Sequence, residues 1–374
     1  MIEKVIKLED NCHLWEVKYR GIPVWSYIRG VYFSQYLPYK AKVKFSTADI
    51  FAFFTFLTMR FRNVKVVFFL PAREDVISYQ KDVVCAFKIS NPITFIRAEG
   101  GETGNVFFIE LLRFIFRKIS FLFCYSEYKR LRSEVWSELS FDPSIPLRNF
   151  LGDYYFLKLI VFFLKGKKVY YTNCVVPQVE RFENSLDSCE LQHGVIHSEH
   201  LDYSYVPYVK NSVIVYSEHY LNVLEKIKFS GKAVVVRKSV YKNDIFFDCI
   251  IFTTINLKYC SLVDELFKSL NSHDLISRLY VKKHPRDNYA YQFLKKEKIL
   301  LKASPLDAKI AILPDTSLII NMVEVKKEFI YLHLENISVE EIKETLYRKY
   351  KVDSSLLKIA TNKKELLDLI RAFL

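Results

Sequence analysis

Short apolar runs punctuate the second half of the chain at Lys232–Arg237, Cys249–Thr254, Leu279–Lys283, Ile299–Lys302, Lys309–Leu313, Phe329–His333 and Leu357–Thr361. Polar or helix-patterned stretches separate them, and several are rich in Val, Ile, Phe or Tyr. Runs of ~4–7 apolar residues between helices predict a parallel sheet covered on both faces, the doubly wound α/β pattern. The first half reads the same way with less regularity. Its strands are expected at Val64–Leu70, Ile93–Arg97, Lys168–Thr172, Cys189–Gln192 and Ser212–Tyr216. A boundary is expected near 220–232, just before Ser230-Gly231. It gives one α/β domain over 1–228 and a second over 229–374, each large enough for its own core.

Three helical stretches of the first half mix aromatic, aliphatic and basic residues: Ile50 to Arg62, Val106 to Phe123, and Tyr155 to Lys168. In the second of these, Glu110, Arg113, Arg117, Lys118 and Ser120 recur about a helical turn apart. They make a narrow basic stripe on a wide Phe/Leu/Ile surface. Two readings follow: an interfacial helix in contact with anionic lipid, or a core helix with a solvated edge.

Composition narrows the classes. The formal net charge is +13, so an anionic partner is expected: nucleic acid, an anionic membrane face, or phosphorylated small molecules. The aromatics lie in apolar runs and no nucleic-acid-binding motif is visible, so no nucleic-acid partner is expected. The seven cysteines are scattered with no CxxC pair, which argues against a disulfide framework and a zinc site and suits a reducing compartment. The N-terminus lacks an apolar signal region, and the longest uncharged apolar runs, such as Ile50 to Met59, fall short of the ~18–20 residues that span a bilayer. A cytoplasmic location, peripheral on the inner face of the membrane, is the expectation.

Three loops after expected strands carry the candidate chemistry. Glu190 to Tyr203 holds three of the eight histidines, His193, His197 and His200, with Glu190, Glu199 and Asp202. His193 at a strand end can act as a general base or donate to a phosphate. Gly194 beside it allows a tight turn or close backbone approach. The second loop, Lys283-His284-Pro285-Arg286, gathers cations suited to a nucleotide leaving group, and Pro285 biases His284 to an extended conformation. In the third, Asp315, Thr316 or Ser317 is expected to cap a helix starting near 316, leaving N–H groups for phosphate. Glu324, two turns on, would reach a ribose or base edge. Thr253-Thr254 forms a further hydroxyl-bearing turn.

Gln192-His193-Gly194, then Lys283-His284-Pro285-Arg286, then Thr316-Ser317 with Glu324, taken in that order, resemble bacterial surface-polysaccharide transferases. That group includes capsule biosynthesis proteins, Kdo- and sialic-acid-type transferases using CMP-sugars and, more distantly, CDP-glycerol glycerophosphotransferases. The resemblance covers roughly 165–330. It implies a GT-B-like fold, two Rossmann-like domains facing an interdomain cleft. It implies a donor site of Lys283, His284, Arg286, Thr253, Thr254, Asp315, Thr316, Ser317 and Glu324. Gln192, Gly194 and His197 would line the cleft, and the base would be His193 or a carboxylate. Sialyltransferases of this kind carry an acidic pair followed by Gly. The nearest candidates, Glu74-Asp75 and Glu99-Gly100, do not fit that pattern fully.

The expected function is transfer of a sugar from a nucleotide-sugar, a CMP-sugar above others, to a lipid-linked or growing surface glycan. No cofactor and no metal is implied, since cations and helix dipoles can take a metal's role at the leaving group. The alternatives are a CDP-alditol phosphotransferase, a sugar-nucleotide epimerase, and a non-catalytic basic membrane- or nucleic-acid-binding protein.

Overall fold

The computed structural model describes residues 2–34, 45–98, 103–172, 175–197, 200–239, 245–270, 275–284, 287–300, 303–316, 318–335 and 337–374. The chain divides into two compact units, Met1–Ser239 and Val240–Leu374.

After helix Ile2–Cys12 the first unit forms a hairpin of β1 (Lys18–Tyr19) and β2 (Ile22–Pro23). Its sheet follows with β3 (Val66–Pro71), β4 (Ile93–Arg97), β5 (Lys168–Tyr171), β6 (Asp187–Leu191), β7 (Ser212–Val215) and β8 (Lys232–Val235). The second unit contributes β9 (Phe247–Phe252), β10 (Leu279–Lys282), β11 (Ile299–Leu300), β12 (Ala308–Leu313), β13 (Phe329–Leu332) and β14 (Leu357–Ala360). Both six-stranded sheets are parallel, ordered β4-β3-β5-β6-β7-β8 and β11-β10-β9-β12-β13-β14. The second order is that of a dinucleotide-binding Rossmann sheet, with its topological switch between β9 and β12. In the first sheet the order reverses between β3 and β5. The chain is therefore α/β with two Rossmann-like units, as the run pattern predicts. The physical basis is burial on both faces: β3, β12 and β13 are apolar along nearly their whole length.

The boundary falls later than 228/229. Lys232–Arg237 belongs to the first sheet, because β8 pairs in parallel with β7 from Ser212↔Lys232 to Val215↔Val235. Ser230 is no linker residue either. Its hydroxyl donates to Val206 O (3.0 Å) and accepts from Val209 N (2.9 Å), docking the turn onto its own unit.

One helix of the first unit turns polar residues inward. In helix Phe107–Phe123, Arg113 and Ser120 are buried while Leu111, Phe114, Ile115, Ile119, Leu122 and Phe123 are exposed. The cause is Asp153, fully buried in helix Ser144–Leu164. It accepts from Arg113 Nε (2.9 Å) and Nη2 (2.7 Å), from Arg117 Nε and Nη2 (both 2.7 Å), and from Tyr27 Oη (2.9 Å). The two guanidinium groups hold its carboxyl well below the usual carboxylate range against the opposing effect of burial. Gly152 permits the approach, since a Cβ there would lie 2.3 Å from Arg117 Cα. Arg113 and Ser120 of the stripe therefore face inward and Arg117 is half-buried, beside Ile109 of the core and Leu112, Phe116 and Phe121 packed against it, while Lys118 stays exposed. Among the described residues, no helix is long and apolar enough to cross a membrane.

Candidate functional site

In open parallel sheets, ligands bind beyond the carboxyl ends of the strands, near the switch in strand order. In the first unit that edge carries the Gln192-His193-Gly194 turn after β6. Gln192 is fully buried. Its Oε1 accepts from Tyr216 N (2.9 Å), its Nε2 donates to Gly194 O (2.7 Å), and its own N–H donates to Ile214 O (2.9 Å). The glutamine thus ties the β6 exit to the β7 exit and sets His193 between them. A Cβ on Gly194 would meet nothing within 4 Å, so the space beside its Cα is open.

His193 is half-buried, and its Nδ1 lies below the surface with no hydrogen-bond partner among the described residues. Burial pushes its pKa down. Glu190 and Asp202 oppose that shift, whereas Arg73 and His200 reinforce it. The imidazole is accordingly neutral near pH 7, the form that accepts a proton. Tyr216, whose N–H donates to Gln192, is buried and has a hydroxyl without a partner among the described residues. The Tyr216 ring packs edge-on to Tyr79 at 4.6 Å, and Lys238 Nζ lies 4.9 Å above its centre.

The carboxylates expected as alternative bases sit at the β3 exit. Asp75 is held in a bidentate pair by Arg73, Nε to Oδ1 at 3.1 Å and Nη2 to Oδ2 at 2.8 Å. Glu74 begins helix Glu74–Ala86, and its side chain lies outside the described residues, as does the Glu99-Gly100 pair. The His197 and His200 rings are 5.8 Å apart, and Glu199 lies outside the described residues. No group of three or more His, Cys, Asp or Glu side chains among the described residues is arranged to hold a metal ion.

A buried ionic framework carries this histidine loop. Arg181 pairs with Glu190, Nε to Oε2 at 2.5 Å, and its Nη1 donates to Asp202 O (2.8 Å). Tyr203 Oη donates to the same carboxylate at 2.6 Å. Glu190 is thus a structural ion-pair member. From the N-terminal segment, Arg29 Nη1 donates to Leu201 O and Ser204 O, both at 2.7 Å, while Nη2 reaches Glu9 (3.1 Å). Arg29 of helix Trp25–Ser34 therefore braces the loop.

The second unit presents its own edge. Thr253, at the β9 exit, is buried and fully engaged: its hydroxyl donates to Asp287 Oδ2 (2.6 Å) and accepts from His284 N (2.9 Å). Asp287 also accepts from Tyr289 N and Tyr291 Oη, both at 2.9 Å. This knot fixes the β10 exit that carries Lys283 and His284. Lys283 Nζ lies 4.8 Å above the Tyr291 ring and makes one long contact, 3.4 Å, to Tyr289 O. Thr254, half-buried, accepts from Cys260 Sγ at its carbonyl (3.2 Å). Arg286 and Pro285 lie outside the described residues.

At the β12 exit Asp315 does not cap the helix. The helix is Ile319–Glu324, six residues starting three positions later than expected, and it has no side-chain cap. Asp315 is instead exposed and bound by Lys349 Nζ (2.6 Å) and Tyr350 Oη (2.5 Å) of helix Val339–Tyr350. Thr316 accepts from Leu318 N at its hydroxyl (3.5 Å) and from Ile319 N at its carbonyl (3.2 Å), and Ser317 lies outside the described residues. Glu324 ends the short helix, exposed. So short a helix offers little dipole to a phosphate.

Two residues were not singled out by motif. His333, directly after β13, has a buried Nε2 with no partner among the described residues, and its ring stacks on Tyr331 at 5.8 Å and 22°. Tyr259, at the start of helix Leu257–Leu270, buries a hydroxyl that is likewise without a partner among the described residues. Only the place of His333 at the end of an expected strand could have signalled it.

The fold and edges define an α/β protein with two Rossmann-like units. Comparison with protein-family models and with curated proteins finds no match. Two solved structures show distant likeness. The glycosyltransferase SnogD from Streptomyces nogalater has a TM-score of 0.38 at 9% identity over 83% of this chain and 91% of that one. A GtfA/B complex has 0.29 at 11% identity over 58% of this chain and 60% of that one.

Proposed function

We propose that the chain is a glycosyltransferase that moves a sugar from a nucleotide-sugar, with a CMP-sugar favoured by the motif resemblance, to a lipid-linked or growing surface glycan. The observation that carries the reading is the β10 exit. There Asp287 and Thr253 lock a turn that presents Lys283 and His284 beside the switch point of a Rossmann-ordered sheet. Pre-set cations at such an edge suit the phosphate charge that develops as a nucleotide departs.

In this mechanism the acceptor hydroxyl oxygen bonds to the anomeric carbon while the bond from that carbon to the donor phosphate oxygen breaks. The electron pair leaves on the phosphate, which Lys283 and His284 stabilise. The acceptor proton passes to a base, and neutral His193 is suited to that role. Gln192 positions it through Tyr216 N and Gly194 O.

A thermal-shift panel of CMP, CDP, UDP and GDP identifies the nucleotide, because a ligand of the folded state raises apparent stability. With the matching sugar donor, His284→Ala and Lys283→Ala are each expected to lower transfer by roughly 10²-fold or more while circular dichroism is unchanged. Full transfer by His284→Ala refutes the assignment. Phosphorus entering the product identifies an alditol-phosphate transferase instead.

A further inference from the structure

We propose that the first unit docks on an anionic phospholipid surface through the outward face of helix Phe107–Phe123 together with helix Thr47–Thr58. The inference does not depend on the glycosyl-transfer reading. It starts from the inward-turned arginines. Because Arg113 and Arg117 are bound to Asp153, the positions opposite them, Leu111, Phe114, Ile115, Ile119, Leu122 and Phe123, must point outward. They follow an i, i+3, i+4 repeat from Leu111 to the end of the helix, so they form one stripe about 18 Å long. Phe123 is 79% exposed and Leu122 60%.

A neighbouring helix extends the stripe. Phe53 of Thr47–Thr58 packs on Phe108 with ring centres 5.6 Å apart, while Phe51 and Phe54 stand out from the same helix. Phe61 follows, at 84% exposed. Exposed apolar rows on two packed helices mark an interaction site.

Charge selects the occupant. Cations are set among the rings: Arg60 lies 4.6 Å above Phe162, and Lys118 lies 5.2 Å above Phe114. Arg62, Lys65 and Lys165 are exposed as well. The carboxylates in segments 45–65 and 107–123 are turned away from solvent. Asp49 is buried, accepting from Ser46 and Phe107 N–H groups, and half-buried Glu110 lies 3.7 Å from Arg113. Segment 159–168 has none. A two-fold contact with a second copy would set these cations against their own kind. Anionic headgroups supply the missing counter-charge, and aromatic side chains suit the headgroup level.

The test is flotation of the full chain with vesicles of phosphatidylcholine alone and of phosphatidylcholine with equimolar phosphatidylglycerol. Binding is expected to the anionic vesicles and to weaken with salt. Phe114→Gln with Leu122→Gln, and separately Arg60→Glu with Lys118→Glu, are each expected to lower partitioning by roughly ten-fold or more. All four side chains are exposed, and unchanged tryptophan fluorescence verifies the fold. Three outcomes overturn the proposal: no binding to anionic vesicles, binding indifferent to both double variants, or a dimer in sedimentation that the Gln variant dissociates.

Discussion

Replacing Asp153 with asparagine removes one negative charge while keeping the side-chain shape. The site is fully buried, and both oxygens of the carboxylate are occupied by Arg113 and Arg117. In the variant two guanidinium groups lose their shared counter-charge, Arg113 keeping only the longer 3.7 Å contact to Glu110, and one amide N–H₂ faces donors. Breaking a buried ion pair by removing one partner costs about 3–5 kcal/mol. The first unit spans Met1–Ser239. For a unit of this size each kcal/mol lowers the melting temperature by roughly 2–4 °C, so the expected fall is roughly 6–20 °C.

Tryptophan fluorescence is the right assay, because Trp15, Trp25 and Trp136 all lie in the first unit and report its unfolding alone. A second variant separates charge from packing. Arg113→Met, Arg117→Met and Asp153→Leu together remove the whole cluster, and apolar replacement of a buried ion cluster is often neutral or stabilising. It is expected to recover most of the loss. A melting temperature for Asp153→Asn within about 2 °C of the parent would refute the reasoning. Acid gives an independent view. The folded pKa of Asp153 is depressed, so its contribution is complete above the ordinary aspartate value of about 4 and declines as pH falls towards the lowered value.

Gly152→Ala places a methyl 2.3 Å from Arg117 Cα, so urea unfolding followed by tryptophan fluorescence is expected to show a loss of about 1–3 kcal/mol or more. His193→Ala is expected to suppress transfer. In the parent, burial sets the rising limb of the pH–rate profile below about 6.5, and a limb above pH 7 excludes His193 as the base. The depressed values of His193 and His200 also make their stability contribution complete above about 6.5 and smaller as pH falls, which an acid titration of the melting temperature checks. Asp287→Ala frees the Thr253 and Tyr291 hydroxyls, so the nucleotide thermal shift is expected to disappear while the second unit still unfolds cooperatively.

Both sheets were legible because strands buried on two faces read as continuous apolar runs, and the runs at Cys249–Thr254 and Phe329–His333 became β9 and β13. The boundary was not legible, because Ser230-Gly231 looks like a linker. Its partners, Val206 and Val209, lie more than twenty positions earlier in the chain. The same limit explains Asp315. An Asp-Thr-Ser before an apolar run is a local capping signal, but Lys349 and Tyr350 arrive through tertiary folding and take the carboxylate away. Lys283 and His284 were found because a cationic turn after a strand is local. Their anchor Asp287 is equally near in sequence, yet its role appears only once Thr253 is brought beside it.

Helix Phe107–Phe123 marks the deeper limit. Its periodicity correctly groups Arg113, Arg117 and Ser120, but Lys118 of the same stripe is exposed and Ile109, Leu112 and Phe116 turn inward with the arginines. A period states which residues share a face and not which face turns inward. The usual assumption, every polar residue out, fails because of one residue on another helix: Ile109, Leu112 and Phe116 face the core as expected, but Arg113 goes in with them. Asp153 stands on the buried side of helix Ser144–Leu164, among Phe150, Leu151, Tyr154, Phe156 and Leu157, and is itself fully buried. A carboxylate so placed requires cations brought to it, since an unpaired buried charge costs far more than exposing a row of aromatics. Arg113 and Arg117 answer that demand, and the apolar row is left facing outward. An isolated Asp in one apolar helix and a basic stripe on another are thus two halves of one signal. Read together, they predict which way the second helix is turned.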